Sequence, residues 1–311
     1  MDEFGIIARY FAPLAIDPGA LKLKDDAAFL PPRPGFDLVI TTDQIAAETD
    51  FFPHDPPATV AKKALRVNLS DLAAKGARPE FYLLTLAMPR PVREAWLQDF
   101  VAGLAEDKDQ FGISLLGGDT SATDGPLSIS ITAFGFVPAG RMVKRSGARI
   151  GDAVYVTGTI GDSAGGLAIF KREKHRLSEA QRDYLTKRYQ VPEPPVGFGA
   201  QSLVGLASAA IDISDGLIAD LGHVAQASRV RIELEAEAIP RSDALRALWG
   251  DGADAILRAA TAGDDYQIAF TAPPGLSGPF TCIGRVKAGE GVVVTVGGKE
   301  IAVPKSGYRH F

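Results

Sequence analysis

The chain has 311 residues, enough for two domains. Its 46% hydrophobic and 23% charged content is that of an ordinary globular protein, and a net charge of −5 argues against a nucleic-acid partner. A single cysteine, Cys282, excludes an internal disulfide framework and a Cys-rich zinc site. No apolar run reaches membrane-spanning length and the N-terminus has no signal-peptide pattern, so the expectation is a cytoplasmic protein with no membrane partner.

Phe4, Ile7, Tyr10 and Phe11 recur at helical spacing and predict a short amphipathic helix over 3–12. The prolines of 31–34 mark a loop before a strand over 38–42, with Leu38, Val39 and Ile40 read as buried. A helix follows over 58–75. Val60, Ala64, Val67 and Asp71 fall on one stripe of it, so Asp71 stands where a methyl group is expected, either meeting a positive partner or capping a neighbour at the edge of the face. A second helix over 91–110 presents Val92, Trp96, Phe100 and Leu104 inward. Residues 113–116 read as a buried strand ending at Gly117. Residues 127–137 alternate strictly through their first seven positions, the signature of an antiparallel or mixed sheet; Phe134 and Phe136 add an apolar patch to the second face, suited to a partner subunit.

A domain boundary is expected near Gly147, dividing 1–147 from 148–311. The second half opens with a strand over 153–157 and a Gly-rich stretch, 158–166. That stretch lacks the lysine of a phosphate-binding loop and reads as packing and a helix start. Residues 171–190 are charged and helical, and 191–199 form a Pro/Gly loop. Residues 209–211 read as a buried strand, followed by a helix over 217–228, a strand over 230–234, a helix over 242–248, and strands over 266–270, 280–286 and 291–296. Cys282, within one of these strands, reads as a small buried apolar residue. Strands and helices mix without a clean βαβ repeat, so both domains are expected to be α+β.

The acids are the chemical signal. Asp26, Asp43, Asp71, Asp119, Asp212 and Asp215 could form one basin, in which repulsion among bare carboxylates demands cations or protons. Hard divalent cations take such oxygen ligands. Gly117-Gly118 before Asp119 permits close backbone approach to a ligand. Ser214 offers a hydroxyl, while Asp215 can either join the basin or cap the helix that follows. Arg145 can hold a phosphate bidentately or stand in a solvated turn. None of His54, His175, His223 and His310 has a Ser or Cys partner in a recognisable nucleophile motif.

Six motifs in order, Asp25-Asp26-Ala27-Ala28, Thr41-Thr42-Asp43, Asn68-Leu69-Ser70-Asp71, Gly117-Gly118-Asp119-Thr120, Asp212-Ile213-Ser214-Asp215-Gly216 and Gly263-Asp264-Asp265-Tyr266, resemble the thiamine-monophosphate kinase family. The resemblance extends to the closing Gly307-Tyr308-Arg309-His310-Phe311 and so spans nearly the whole chain. It implies two α+β domains like those of aminoimidazole-ribonucleotide synthetase, the N-terminal one pairing into a β-barrel in a homodimer. It also implies ATP and Mg²⁺, with phosphoryl transfer from ATP to thiamine monophosphate. Carried over by motif, Asp26, Thr41, Thr42, Asp43, Asp71, Asp119, Asp212 and Asp215 are the implied metal ligands. Gly118, Asp119, Arg145 and Ser214 are the implied ATP contacts. Asp264 and Tyr308 are the implied substrate contacts, with Asp50 where the family often has histidine. Asp43, Asp71, Asp119, Arg145 and Asp212 form the implied catalytic set. Three positions depart from the family pattern: Lys24 for a glycine, Asp50 for the histidine and Asp264 for a glutamate. They motivate two rival readings, a nucleotide-binding relative without catalysis and a kinase of another phosphorylated acceptor.

Overall fold

The computed structural model describes residues 3–91, 93–303 and 307–308. Val92 of the second predicted helix, and Arg309, His310 and Phe311 of the closing motif, lie outside the described residues. The chain divides into two compact units. One comprises the chain up to Leu72 together with Ala77–Met142; the other comprises Ala73–Gly76 and the chain from Val143 onward.

The first unit is built on a four-stranded sheet of β1 (Phe36–Ala46), β2 (Arg78–Pro89), β3 (Ser114–Thr123) and β4 (Ser128–Pro138), in the order β1-β4-β2-β3. β4 pairs antiparallel with both β1 and β2. β2 and β3 run parallel and are joined through the helix Glu94–Phe111, so one βαβ crossover is present in a sequence without a clean βαβ repeat. The helix Pro57–Ala74 carries the predicted stripe: Val60, Ala64 and Val67 are buried, as are Leu65, Leu69 and Leu72 on its other sides. Arg66 of this helix reaches Asp107 of the helix Glu94–Phe111 through two hydrogen bonds of 2.8 and 2.7 Å, which satisfy a buried guanidinium and a fully buried carboxylate together.

β1 is longer than predicted and differs in burial. Val39 is buried, but Leu38 and Ile40 are exposed: they stand on the outer face of β1, an edge strand, which the described residues leave open. Thr41 and Thr42 lie within the strand as expected, and Asp43 lies within it too rather than after it, because β1 runs on to Ala46. Gly117, Gly118 and Asp119 likewise lie within β3, which continues to Thr123. The N-terminal helix is not one helix: an α-helical turn over Glu3–Ile6 passes into a π-helical segment Ile7–Phe11 and a 3₁₀ turn Ala12–Leu14, where Pro13 cannot extend the α-helical bonding.

The second unit is built on a seven-stranded mixed sheet of β5 (Ala153–Thr157), β6 (Ala209–Asp212), β7 (Arg231–Glu235), β8 (Ile268–Ala272), β9 (Phe280–Lys287), β10 (Gly291–Val296) and β11 (Lys299–Ile301). Its order is β11-β10-β7-β9-β5-β8-β6. β5, β6 and β8 are buried along their whole length, so that part of the sheet is covered on both faces. Its longer helices are Asp162–Phe170, Glu179–Gln190, Leu217–Ser228, Asp243–Trp249 and Ala253–Ala260. The charged helix is shorter than predicted. It begins at the capping box of Ser178 and Gln181, which supplies the start that residues 171–177 lack. Cys282 is exposed rather than buried: β9 places Ile283 inward and leaves its neighbour Cys282 on the open face.

Candidate active site

In the first unit, β1 and the helix Pro57–Ala74 bring three predicted residues together. Thr41 and Asp43, two apart on β1, point to the same face. The Thr41 hydroxyl donates to Asp71 Oδ2 at 2.5 Å. Burial first, then the charge of Asp71 and a hydrogen bond to it, then the charge of Asp50, push Asp43 up to about 6. The sequence reading of Asp71 as an acid on an apolar stripe thus resolves into a carboxylate that accepts the Thr41 hydroxyl and faces Asp43, whose carboxyl its charge helps push up. Asp50 is occupied locally: its Oδ2 accepts the Ala46 amide at 2.8 Å, and its backbone carbonyl accepts Lys63 Nζ at 2.7 Å. Thr42, on the opposite side of the pleat, accepts a hydrogen bond from Thr132 at 3.1 Å and donates to Ile131 O at 3.2 Å.

The sheet does not carry every acid to that point. β3 is at the opposite edge from β1, three strand spacings or roughly 14 Å away. One cross-strand row runs Asp43, Ile131, Leu84, Gly118, and the next runs Gln44, Ser130, Thr85, Asp119. Gly118 thus shares the Asp43 row and Asp119 lies one row on, exposed. A side chain at Gly118 would place Cβ 1.7 Å from Leu84 O, so only glycine permits this approach of β3 to β2. Asp26 is exposed in the segment before β1, with its amide bonded to Asp25 Oδ1 at 2.8 Å.

In the second unit, three motifs far apart in sequence meet at one loop. Asp212, buried, ends β6, and residues 213–216 lead into the helix Leu217–Ser228. The amides of Tyr266, Asp264 and Tyr308 donate to the carbonyls of Ile213 (2.7 Å), Ser214 (2.8 Å) and Asp215 (2.9 Å). The approach is close enough to require glycine twice: Cβ would stand 2.3 Å from Ser214 O at Gly263 and 2.6 Å from Asp215 O at Gly307. Asp264 and Tyr266 both have positive φ, 67° and 50°, a strained backbone held by these bonds. The Tyr266 hydroxyl donates to Asp264 Oδ1 at 3.1 Å. Arg145 is exposed in an irregular segment held beside β6: the Ala210 amide donates to Lys144 O at 2.9 Å and the Ser228 hydroxyl to Arg145 O at 3.3 Å.

Asp215 does not cap the helix. Gly216 is the N-cap residue and no side-chain cap is made there; Asp220, in the first turn, accepts the amides of Ser214, Asp215 and Gly216 instead. Burial and the charge of Asp215 push Asp220 up to about 7 against the opposing pull of those amides. Donor atoms of Asp215, Asp220 and His223 lie within 4.8 Å of one another, an oxygen- and nitrogen-rich set suited to a divalent cation.

Residues 24–137 match the family model of the AIR synthase related protein, N-terminal domain, and residues 149–297 match that of the C-terminal domain. The thiamine-monophosphate kinases of Salmonella typhimurium (strain LT2) and Escherichia coli (strain K12) are each 42% identical to this chain over 326 residues, covering 99% of it and 98% of the relative. The chain belongs to the thiamine-monophosphate kinase family. The crystal structure of a family member from Stenotrophomonas maltophilia K279a superposes with a TM-score of 0.81 at 39% identity, over 90% of this chain and 91% of that one. AaThiL complexed with AMPPCP and TMP superposes with a TM-score of 0.81 at 32% identity, over 99% and 97%.

Sequence reasoning missed four residues of this site. Asp220 lies inside the predicted helix over 217–228 without any motif, and His223 there showed no nucleophile partner and was expected to be packed or exposed. Tyr266 read as the start of a strand, which begins two residues later at Ile268. Asp265 is buried and accepts the Gly161 amide at 2.7 Å; burial pushes its carboxyl well above the usual range. Asp265 and Tyr266 belong to the motif Gly263-Asp264-Asp265-Tyr266, but only Asp264 was matched to a substrate contact, and nothing in the Asp-Asp pair distinguishes which acid turns inward.

Proposed function

We infer that the chain transfers the γ-phosphoryl group of ATP to thiamine monophosphate, giving thiamine diphosphate and ADP. One observation carries the reading: Ser214 and Asp215, matched to nucleotide and metal, are bonded backbone to backbone with Asp264 and Tyr308, matched to the acceptor. An enzyme that joins two phosphates needs those two sets in one rigid place. A terminal oxygen of the acceptor phosphate attacks the γ-phosphorus, and the bond from that phosphorus to the β–γ bridging oxygen breaks. The acceptor is already largely ionised at neutral pH, its second pKa being about 6, so no general base is required and transfer is direct. A chemically competent phospho-enzyme, isolated from a single turnover, would contradict direct transfer.

The acidic sets fit a hard divalent cation such as Mg²⁺. Burial, and then the facing charges of Asp71 and Asp50, raise Asp43 to about 6, and a bound cation would offset that penalty. Asp26, Thr41, Thr42, Asp43, Asp71, Asp119, Asp212 and Asp215 are the residues we assign to holding metal. When bound, Mg²⁺ neutralises the triphosphate and orients it for in-line displacement. Gly118 and Asp119 on β3, with Ser214 and Arg145, are assigned to the nucleotide, Arg145 offering a planar fork to phosphate oxygens. Asp264 and Tyr308 are assigned to the acceptor, with Asp50 standing where the family often has histidine.

We further assign 1–147 to the ATP, metal and dimer functions and 148–311 to completing the active site, in a cytoplasmic homodimer. The dimer assignment rests on β1. Phe36, Leu38 and Ile40 stand 45%, 44% and 56% exposed on an edge strand and continue across to Phe136 and Phe134 of β4. A monomeric mass in sedimentation at micromolar concentration would refute it. The function is tested by incubating the protein with ATP, Mg²⁺ and thiamine monophosphate and separating the products by chromatography. Thiamine diphosphate is expected; ATP binding without it would favour a non-catalytic nucleotide-binding protein.

A further inference from the structure

The loop 212–216 uses its backbone on both sides. On one side the carbonyls of Ile213, Ser214 and Asp215 accept the amides of Tyr266, Asp264 and Tyr308. On the other, the amides of Ser214, Asp215 and Gly216 all point to a single oxygen, Asp220 Oδ2, at 3.1, 3.1 and 3.0 Å. Asp220 is 3% exposed, so water does not compete for these bonds. Three consecutive amides converging on one anion form the concavity that in other folds grips a phosphate. Here the protein fills it with its own carboxylate. The loop's amides are thereby spent, and what it can offer a ligand is the side chains of Ser214 and Asp215.

Orientation follows from the same bonds. Three amides fixed on one atom set the direction of the intervening peptide planes, and hence of the carbonyls on the far side. Those carbonyls hold the strained stretch in which Asp264 and Tyr266 have positive φ, and they hold Tyr308. One buried carboxylate thus underlies both the nucleotide and metal side of the loop and its acceptor side.

We propose that Asp220 is a positioning residue for phosphoryl transfer: by clamping the Ser214, Asp215 and Gly216 amides it sets Ser214 and Asp215 toward nucleotide and metal and keeps Asp264 and Tyr308 in place for the acceptor. This rests on the kinase reading given above. A mere helix cap would affect folding stability alone, whereas a clamp shared by the two subsites moves the apparent affinities of all three ligands together.

The test uses the full chain with Asp220→Ala and Asp220→Asn. Steady-state rates are measured with ATP, thiamine monophosphate and Mg²⁺ varied in turn, beside amide hydrogen exchange over 212–216 and 263–266. Loss of a group that orients metal ligands costs on the order of 10–100-fold. Asp220→Ala is expected to raise the half-saturating concentrations of all three ligands on that scale and to speed exchange in both stretches. Asp220→Asn, which keeps one acceptor oxygen in the same place, is expected to recover most of the loss. A folded Asp220→Ala protein with parental KM values and Mg²⁺ dependence overturns the proposal, as does a lowered Tm with none of them shifted. Asp220→Asn as impaired as Asp220→Ala also overturns it, because the role would then lie in charge rather than in accepting the amides. If Asp220→Ala does not fold, Asp220→Glu, which displaces the oxygen by one methylene, must show the same shifts. Failure of the parent protein to form thiamine diphosphate refutes the kinase reading, while the exchange measurement still decides whether the clamp exists.

Discussion

In the unit built on β1–β4, Thr41 and Asp43 ride two apart on a regular strand and Asp71 on a regular helix. In the unit built on β5–β11, Ser214, Asp215, Asp264 and Tyr308 stand on irregular backbone held by hydrogen bonds between loops. The first arrangement is fixed by periodicity: strand pleat and helix stripe decide where each side chain goes, and core packing supports them. The second is fixed by bonds among amides and carbonyls, with glycine at the close approaches of 263 and 307. Side-chain substitution should therefore act differently in the two places. In the first it removes a charge from a rigid frame; in the second it can loosen the frame itself.

The largest effect is expected from Asp71→Asn. On a rigid helix this change should leave the fold intact while turnover falls by roughly 100-fold or more, the scale for removing a group that organises transition-state charge. Near-normal turnover would remove Asp71 from the metal set. Gly118→Ala tests the frame of the first unit directly. Its Cβ has no room beside Leu84 O, so the β2–β3 pairing must shift, at a cost of about 1–3 kcal/mol in denaturant unfolding. Unchanged stability would mean that β3 can slide.

A third prediction concerns pH. Asp43 titrates at about 6 in the folded protein against about 4 in an unfolded chain. The metal-free fold therefore holds a proton that the unfolded chain has released. Its stability should fall as pH rises from about 4 to about 6 and level off above that. On the proposed metal assignment a cation would replace that proton, so Mg²⁺ affinity should climb over the same window, up to about tenfold per pH unit, and then plateau. Calorimetric titration at several pH values checks this, and in Asp71→Asn the plateau should begin at lower pH. A flat profile between 4 and 6 would separate Asp43 from the metal. The smallest effect is expected from Tyr266→Phe, which removes one half-buried hydrogen bond to Asp264, about 0.5–1.5 kcal/mol. The KM for thiamine monophosphate should rise several-fold while that for ATP stays constant; equal shifts in both would mean that the loop had moved.

The same contrast explains what could be read from the sequence. The helix Pro57–Ala74 was legible because Val60, Ala64 and Val67 repeat at helical spacing, and β4 because its residues alternate. β2 was not: Pro79 and Pro89 bracket Phe81-Tyr82-Leu83-Leu84, an apolar run without visible alternation, although the folded strand does bury alternate residues along much of its length. The helix Ala253–Ala260 escaped notice because it is short and buries mainly Ile256 and two alanines. The exposure of Leu38, Ile40 and Cys282 depends on which strand faces lie uncovered, which local pattern does not report. Among the site residues, motif acids such as Asp43, Asp71 and Asp215 stood out, whereas Asp220 did not. Its partners are backbone amides, and a lone aspartate in a helix's first turn looks like any other.

On the assignment proposed above, these carboxylates hold divalent cations that tether a triphosphate. Electron paramagnetic resonance of Mn²⁺ tests it most directly, with the ion titrated into the protein with and without a non-hydrolysable ATP analogue. A bound Mn²⁺ signal is expected that strengthens with the nucleotide and weakens in both Asp71→Asn and Asp215→Asn. Mn²⁺ that stays free in the presence of nucleotide, or binds equally well in both variants, would contradict it.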